Sequence, residues 1–453
     1  MNQEKFNELR KKYPNFIYDS YEIIDEENSI KIIFHFEIEG LSKFDPYYVI
    51  EKKYIKNKNI NSNLFEYLVF HIGLIELVSY FKCTCSPNVI IKAGYLDEDQ
   101  IEWFKKLYYY GLGEMLYING INISLEDLMN IKCIGQKITL EDYNYTGIGN
   151  LIPVGGGKDS NVTLELMKSE HDINTLIIMN PKDVQIKCAE TALYDSDSIF
   201  TYKRVLDKRL IELNNKGFLN GHTPFSSLVA FTTYLCAYLQ NKRYIILSNE
   251  SSANEPTIIG TKINHQYSKT YEFENDFNNY THKYFNINIK YFSLLRCLNE
   301  FQIGMLFSNY KKYHSVFKSC NVGSKNKPWN WCCNCPKCMF VYIILSPFLY
   351  KQELVNIFGE DLFERKDLLN TLLELSWQSE NKPFECVGTY EEVRYALSLT
   401  INKLHDDLPY LLKYYKDNFE LQLDKKIEKE FNDENNLEPK FVKIVKEELD
   451  KYV

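Results

Sequence analysis

The sequence predicts an α/β protein: a parallel-sheet domain in the middle, an N-terminal α/β unit before it and a helical C-terminal region after it. Three observations carry that expectation. Between about 150 and 250, short apolar runs alternate with helix-length amphipathic stretches, the order that builds a parallel sheet covered on both faces. Residues 30–38 alternate at period two, as a half-buried strand does. Beyond about 340 the pattern turns mostly helical. The expected domains are 1–145, 146–348 and 349–453, which suits a chain of 453 residues at roughly 150 per domain.

Each element has a local reason. Ile30, Ile32, Phe34, Phe36 and Ile38 form the apolar stripe of the first clear strand, and His35 faces away from it, toward the surface. Residues 64–82 read as a helix with Leu64, Leu68, Ile72, Ile75 and Val78 on one face. His71, flanked there by Phe70 and Ile72, reads as a satisfied interfacial histidine, with substrate contact as the alternative. Asp97 caps the next helix, which stops near Gly111. Residues 143–149 make a junction. Strands are expected at 151–154, 175–179, 198–202 and 244–248, with a helix over 161–169 and another ending near Gly217. Thr223 and Pro224 read as N-cap and first turn of a helix striped by Phe225, Leu228, Val229, Leu235, Cys236 and Leu239. The Lys- and Glu-rich tail from about 410 reads as solvated helices.

Composition excludes several classes. With 45 % hydrophobic and 25 % charged residues the chain is neither disordered, collagen-like nor a membrane bundle. It carries 53 basic against 61 acidic residues, a net charge of −8, and only seven of the basic residues are Arg. That balance argues against a nucleic-acid partner. The first dozen residues lack the apolar core of a signal peptide, and the apolar stretches 225–239 and 339–350 are too short to span a bilayer. A cytoplasmic, reducing location is the expectation, where clustered cysteines favour metal or catalysis over disulfides.

The sharpest motif is Pro-Val-Gly-Gly-Gly-Lys-Asp-Ser (153–160), set between an apolar strand and a helix. Backbone N–H groups and the helix dipole favour an anion there, and glycines let phosphate oxygens come close. The alternative is a tight turn that simply needs glycines. The run is neither a Walker loop, because Asp159 follows Lys158, nor a dinucleotide fingerprint, because Ser160 stands in place of the last glycine. It resembles the PP-loop of ATP pyrophosphatases, Ser-Gly-Gly-x-Asp-Ser, with Gly155 in the Ser position. That resemblance implies an adenine nucleotide alpha hydrolase-like domain that binds ATP with Mg²⁺, adenylates a substrate oxygen and releases pyrophosphate.

Further stretches narrow the resemblance. Asn-Glu-Ser-Ser-Ala-Asn-Glu-Pro-Thr (249–257), Asn-His-Gln-Tyr-Ser-Lys (264–269), Trp-Cys-Cys-Asn-Cys-Pro-Lys-Cys (331–338) and Lys-Pro-Phe-Glu-Cys-Val-Gly-Thr (382–389) are similar to the MurL family. So are Phe-His-Ile-Gly-Leu-Ile-Glu (70–76) and Cys-Ser-Pro (85–87), which extends the similarity over roughly 20–400. Members are ATP-dependent epimerases of UDP-N-acetylmuramoyl-L-alanyl-L-glutamate in peptidoglycan precursor synthesis. The implied substrate is a nucleotide-sugar dipeptide, with no membrane or nucleic-acid partner. Gly155, Gly156, Gly157, Lys158, Asp159 and Ser160 would bind the ATP phosphates, Asp159 toward Mg²⁺. Asn249, Glu250 and Ser251 follow the strand at 244–248, at the end where open parallel sheets bind ligands. His265, Tyr267 and Lys269 lie in the adjoining loop, and Lys269 suits a substrate rich in carboxylates and phosphates.

Two questions stay open on the sequence. For proton transfer, Cys386 lies just before the Thr389–Glu392 capping box, where a helix N-terminus lowers a thiol pKa; Glu250 and His265 compete with it. Cys386 also reads as a packing residue. Five of the 12 cysteines fall within 19 residues, and Cys320, Cys332, Cys335 and Cys338 match a tetrahedral zinc site, leaving Cys333 spare, although Cys333 and Cys335 could exchange roles in register. The same spacing suits a four-iron cluster, or no metal at all. A similar cysteine cluster occurs in 7-cyano-7-deazaguanine synthase, so the runner-up function is a PP-loop enzyme acting on tRNA or a nucleobase. An epimerase of another peptide, and a nucleotide-binding regulator without chemistry, are the remaining alternatives.

Overall fold

The computed structural model describes residues 2–258, 264–265, 267–325, 330–378, 382–405 and 407–453. Among the described residues the strands are β1 (Asn15–Asp25), β2 (Ser29–Ile38), β3 (Ser42–Phe44), β4 (Tyr47–Glu51), β5 (Asn88–Ile91), β6 (Asn130–Cys133), β7 (Asn150–Pro153), β8 (Asn174–Met179), β9 (Ile199–Val205), β10 (Tyr244–Leu247) and β11 (Lys290–Ser293). The chain divides into two compact units. Unit 1 is Met1–Leu151, Phe200–Ile245 and Lys262–Tyr291, and unit 2 is Ile152–Ile199, Ile246–Thr261 and Phe292–Val453.

In unit 1 the strand order is β9-β4-β2-β1-β5-β6, with β3 beside β2. The β4–β9, β2–β4 and β1–β2 pairs are antiparallel, while β5 runs parallel to β1 and β6 parallel to β5. The purely parallel expectation therefore fails at β9. Its partner comes from a hairpin 150 residues upstream, information that strand–helix alternation does not carry. The β2 stripe alternates as expected, with Ile32, Phe34, Phe36 and Ile38 buried. His35 sits on the polar face, its Nδ1 2.7 Å from Asp45.

Helix Ser62–Glu76, continued by Val78–Phe81, is buried all round rather than on one face. By length and hydropathy these residues pass for a membrane span, yet 89 % of the apolar window is buried inside the protein. A helix apolar on every side belongs in a core. It holds His71, fully buried, with Nδ1 2.8 Å from the Tyr67 carbonyl and Nε2 2.7 Å from the Tyr280 hydroxyl. Burial pushes this imidazole down to about 3, so it is a neutral packing histidine. Glu76 is also fully buried, and the Arg204 guanidinium clasps it at 2.8 and 2.9 Å. Helix Glu98–Gly111 opens with the Asp97–Gln100 capping box. Helix Phe225–Leu239 is capped by Pro224 without a side-chain bond, so Thr223 is not its N-cap.

Strand β8 lies in unit 2, and β7, β10 and β11 have their last residues there. The helix after β7 is Lys158–Leu166, three residues earlier than the apolar pattern placed it. Its first turn is polar, so periodicity misses it. Among the described residues no strand follows β11, and the remainder is helical, including Pro336–Leu345, Tyr390–Leu404 and Pro439–Leu449. The last of these is no solvated tail helix, since Phe441 and Val445 are fully buried.

Candidate functional site

The glycine loop leaves β7 at Pro153 and feeds directly into helix Lys158–Leu166. Gly156 has φ +82°, and a Cβ there would stand 3.0 Å from Val184. Around Gly155 a Cβ would meet nothing within 4 Å, so open space lies beside the exposed end of the loop. The Ser160 hydroxyl points into the loop, accepting from the Gly156 amide at 3.1 Å and donating to the Gly157 carbonyl at 3.0 Å. Ser160 thus shapes the loop.

Beneath the loop lies a charge cluster that the sequence reveals only in part. Lys158 is fully buried, and its ammonium contacts the carboxylates of Asp159 and Glu300. Burial pulls this lysine down, but the two carboxylates outweigh it and hold the ammonium charged. Glu300 is fully buried and pushed up to about 8, by burial first, against the pull of Lys158 and with Asp159 and Glu250 adding to the rise. One positive and two acidic groups leave a buried excess of acid, which a proton or a bound cation neutralises. Glu300 escaped sequence reasoning because it begins helix Glu300–Asn309, and nothing in its neighbours distinguishes it from an ordinary first-turn acid.

Two later segments reach the same place. The Glu300 amide donates to Glu392 Oε1 at 2.6 Å, and Glu392 also closes the capping box with Thr389. Phe340 has Lys158 and Lys337 near its ring, at 5.9 and 5.3 Å from the centroid. Lys337 donates to the Cys386 carbonyl, which brings the 382–389 stretch to the cluster. Thr389 and Glu392 already satisfy amides of that helix's first turn, so the N-terminal field expected to act on the Cys386 thiol is shared with them.

Cys320, Cys332, Cys335 and Cys338 converge. Their Sγ–Sγ distances are 3.8 Å for 320–335, 3.8 Å for 332–338 and 3.5 Å for 335–338. Thiolates about 2.3 Å from a tetrahedral ion stand about 3.7 Å apart, so the donors fit one zinc. A four-iron cluster, binding one thiolate per iron, needs them wider. Cys333 turns away with φ +55° and its Sγ 3.2 Å from the Phe358 carbonyl, leaving it outside the set. Cys335 caps helix Pro336–Leu345, so the cluster anchors the helix that carries Lys337 and Phe340.

Asn249, Glu250 and Ser251 follow β10, at its C-terminal end. Asn249 donates to Ser293 at 3.0 Å, and the Glu250 carbonyl accepts from Arg296 at 2.7 Å. His265, Tyr267 and Lys269 belong to unit 1. Tyr267 is buried with its hydroxyl 3.4 Å from Asp276. His265 pairs with Glu114, and His222 joins them, a residue to which the sequence assigns no role.

A strand, a glycine-rich turn and a helix whose first residue is a buried lysine define an α/β protein with a glycine loop at a strand's C-terminal end. Comparison with known proteins makes this specific. The chain belongs to the MurL family: the MurL N-terminal domain matches residues 7–294 and the MurL C-terminal domain 316–428. It is 32 % identical over 360 residues to UDP-N-acetyl-alpha-D-muramoyl-L-alanyl-L-glutamate epimerase of Xanthomonas oryzae pv. oryzae, covering 78 % of each chain. It is 33 % identical over 332 residues to the enzymes of that name from a Micromonospora species and Salinispora tropica, covering 72 % of this chain and 73 % and 72 % of theirs. No solved structure matches the chain.

Proposed function

We propose that this protein is an ATP-dependent isomerase that converts the terminal L-glutamate of UDP-N-acetylmuramoyl-L-alanyl-L-glutamate to D-glutamate, in the supply of peptidoglycan precursors. The observation that carries the reading is the buried Lys158–Asp159–Glu300 cluster behind an open glycine loop, in a chain of this family. Inversion requires loss of a proton beside a carboxylate, and an ionised carboxylate resists a second negative charge. Adenylation removes that obstacle. A substrate carboxylate oxygen attacks the α-phosphorus of ATP, the bond to the β-phosphate bridge breaks, and pyrophosphate leaves. The acyl-adenylate carbonyl then accepts the electron pair released when the α-proton is taken. Reprotonation on the opposite face and hydrolysis give the D-glutamyl product and AMP.

The PP-loop reading assigns Gly155, Gly156, Gly157 and Lys158 to the departing phosphates, where amides and an ammonium offset growing charge. Asp159, a quarter exposed beside the loop, faces Mg²⁺ in this scheme, and Glu300 holds Lys158 in place. Asn249 and Ser251, at the end of β10, suit the nucleotide. Zinc at Cys320, Cys332, Cys335 and Cys338 would be structural, fixing the first turn of the helix that bears Lys337. The test is chiral analysis of glutamate after incubating the muramoyl dipeptide with ATP and Mg²⁺. D-Glutamate, with AMP and pyrophosphate, is expected; folded protein that yields none refutes the reading.

A further inference from the structure

Helix Leu369–Leu375 ends on a tryptophan where a glycine is the ordinary choice. The Gln378 amide donates to the Leu373 carbonyl at 2.8 Å, the bond of a Schellman cap, which puts Trp377 at the left-handed position of that motif. Its φ is +53°, costly for a bulky side chain and free of strain for glycine. Neighbours hold the conformation. Arg394 donates from Nε to the Ser376 carbonyl at 2.7 Å and from Nη2 to the Trp377 carbonyl at 3.1 Å. Strain maintained by its surroundings at an exposed residue points to a use for the side chain.

The indole forms a platform. It stacks on Tyr390, with ring centroids 5.1 Å apart and planes tilted by 24°, and the Arg394 guanidinium lies 5.7 Å from its centroid. Tyr390 and Arg394 stand four residues apart on helix Tyr390–Leu404, so they support the indole from one helix face. The indole is still 46 % exposed. Tyr390 is buried, and its hydroxyl has no hydrogen-bond partner among the described residues, which leaves a donor at the edge of the stack. Such a donor is costly until something accepts from it.

An aromatic face beside an unused donor suits a nucleobase, which offers a π-face and acceptors at its edge. The platform lies wholly in unit 2, as the helix bearing Lys158 does. Two contacts tie it to the surroundings of the glycine loop. Glu392, in the same first turn as Tyr390, accepts from the Glu300 amide. Lys382 is buried with its ammonium 5.4 Å from the Tyr390 centroid, and it pairs with Glu255 in the segment after Asn249 and Ser251. With Asn249 and Ser251 given to ATP, uracil is the base that remains to be placed.

We propose that Trp377, backed by Tyr390, stacks the uracil of the UDP-sugar substrate, and that the Tyr390 hydroxyl donates to a uracil carbonyl. The proposal rests on the epimerase reading above, to which it adds the residues that recognise the uridine end of the substrate.

Two measurements on the full-length enzyme test it. In assays of pyrophosphate release, Trp377→Gly, which also relieves the positive φ, should raise KM for UDP-N-acetylmuramoyl-L-alanyl-L-glutamate roughly tenfold or more, with KM for ATP within about twofold of wild type. Tyr390→Phe removes only the unpartnered hydroxyl and should raise the same KM roughly threefold or more. In binding assays without turnover, UDP should quench wild-type tryptophan emission and Trp377→Phe should lose that quench, while ADP should cause no quench that depends on Trp377. A merely structural Trp377 would lower Tm and leave the two KM values in their wild-type ratio, which overturns the proposal. A Trp377-dependent quench by ADP alone, or a rise confined to KM for ATP, puts adenine on the platform and overturns the uracil assignment. No Trp377-dependent quench by either nucleotide overturns the platform itself, even if Trp377→Gly fails to fold. Wild-type protein without turnover refutes the functional reading, whereas the UDP quench decides the platform independently of turnover.

Discussion

Replacing Glu300 with Gln probes the buried acid excess under the glycine loop directly. The folded protein holds the Glu300 proton to about pH 8, whereas an unfolded chain releases it near 4.5. Between those values the native state binds the extra proton, so stability falls as pH rises, by about 1.4 kcal/mol per unit. Over the whole window the loss is roughly 3–5 kcal/mol, and above pH 8 it levels off. Glutamine matches the protonated side chain in shape and charge. Glu300 Oε1 has no hydrogen-bond partner among the described residues, so the amide introduces no new unsatisfied group there. Glu300→Gln should therefore lie within about 1 kcal/mol of wild type at pH 5 and exceed it by roughly 3 kcal/mol or more at pH 9. Denaturant unfolding of ligand-free protein from pH 5 to 9 measures this. Parallel stability curves would refute the argument. So would a variant 3–5 kcal/mol weaker at pH 7, the penalty for stranding Lys158 as an unpaired buried charge.

Three other outcomes follow from the same structure. Lys158→Ala or Asp159→Ala should abolish substrate-dependent pyrophosphate release, and a rate near wild type would remove both from the phosphate site. Purified protein should hold about one zinc, lost in Cys335→Ser together with several kcal/mol of stability; equal zinc content in the two, by elemental analysis, contradicts the four-thiolate site. His71, held down to about 3 against 6.5 when unfolded, makes the unfolded chain bind more protons between those values. Stability should thus decline as pH drops from 6.5 toward 3, and His71→Gln should show a shallower decline in the same unfolding series.

Local pattern was enough for much of the fold. The period-two stripe from Ile30 to Ile38, the Asp97 and Thr389 capping boxes and the strand–glycine–helix turn all formed as their residues demand, because each is fixed by neighbours within a few positions. Errors arose where distant contacts overrode local signals. Helix Ser62–Glu76 was legible as a helix but not as one buried on every side, since burial depends on what packs against it. Likewise the antiparallel partner of β9 comes from β4, far upstream.

The candidate site divides along the same line. The sequence by itself determined the chemistry available: three glycines with Lys158 and Asp159 at a helix start, and four cysteines at metal spacing. Only the tertiary structure decided which acids meet the buried basic groups. Glu300 lies 142 positions from Lys158, and Glu114 lies 108 from His222 and 151 from His265. Such pairs are selected by packing and by the cost of burying unpaired charge, and neither quantity exists until the chain has folded.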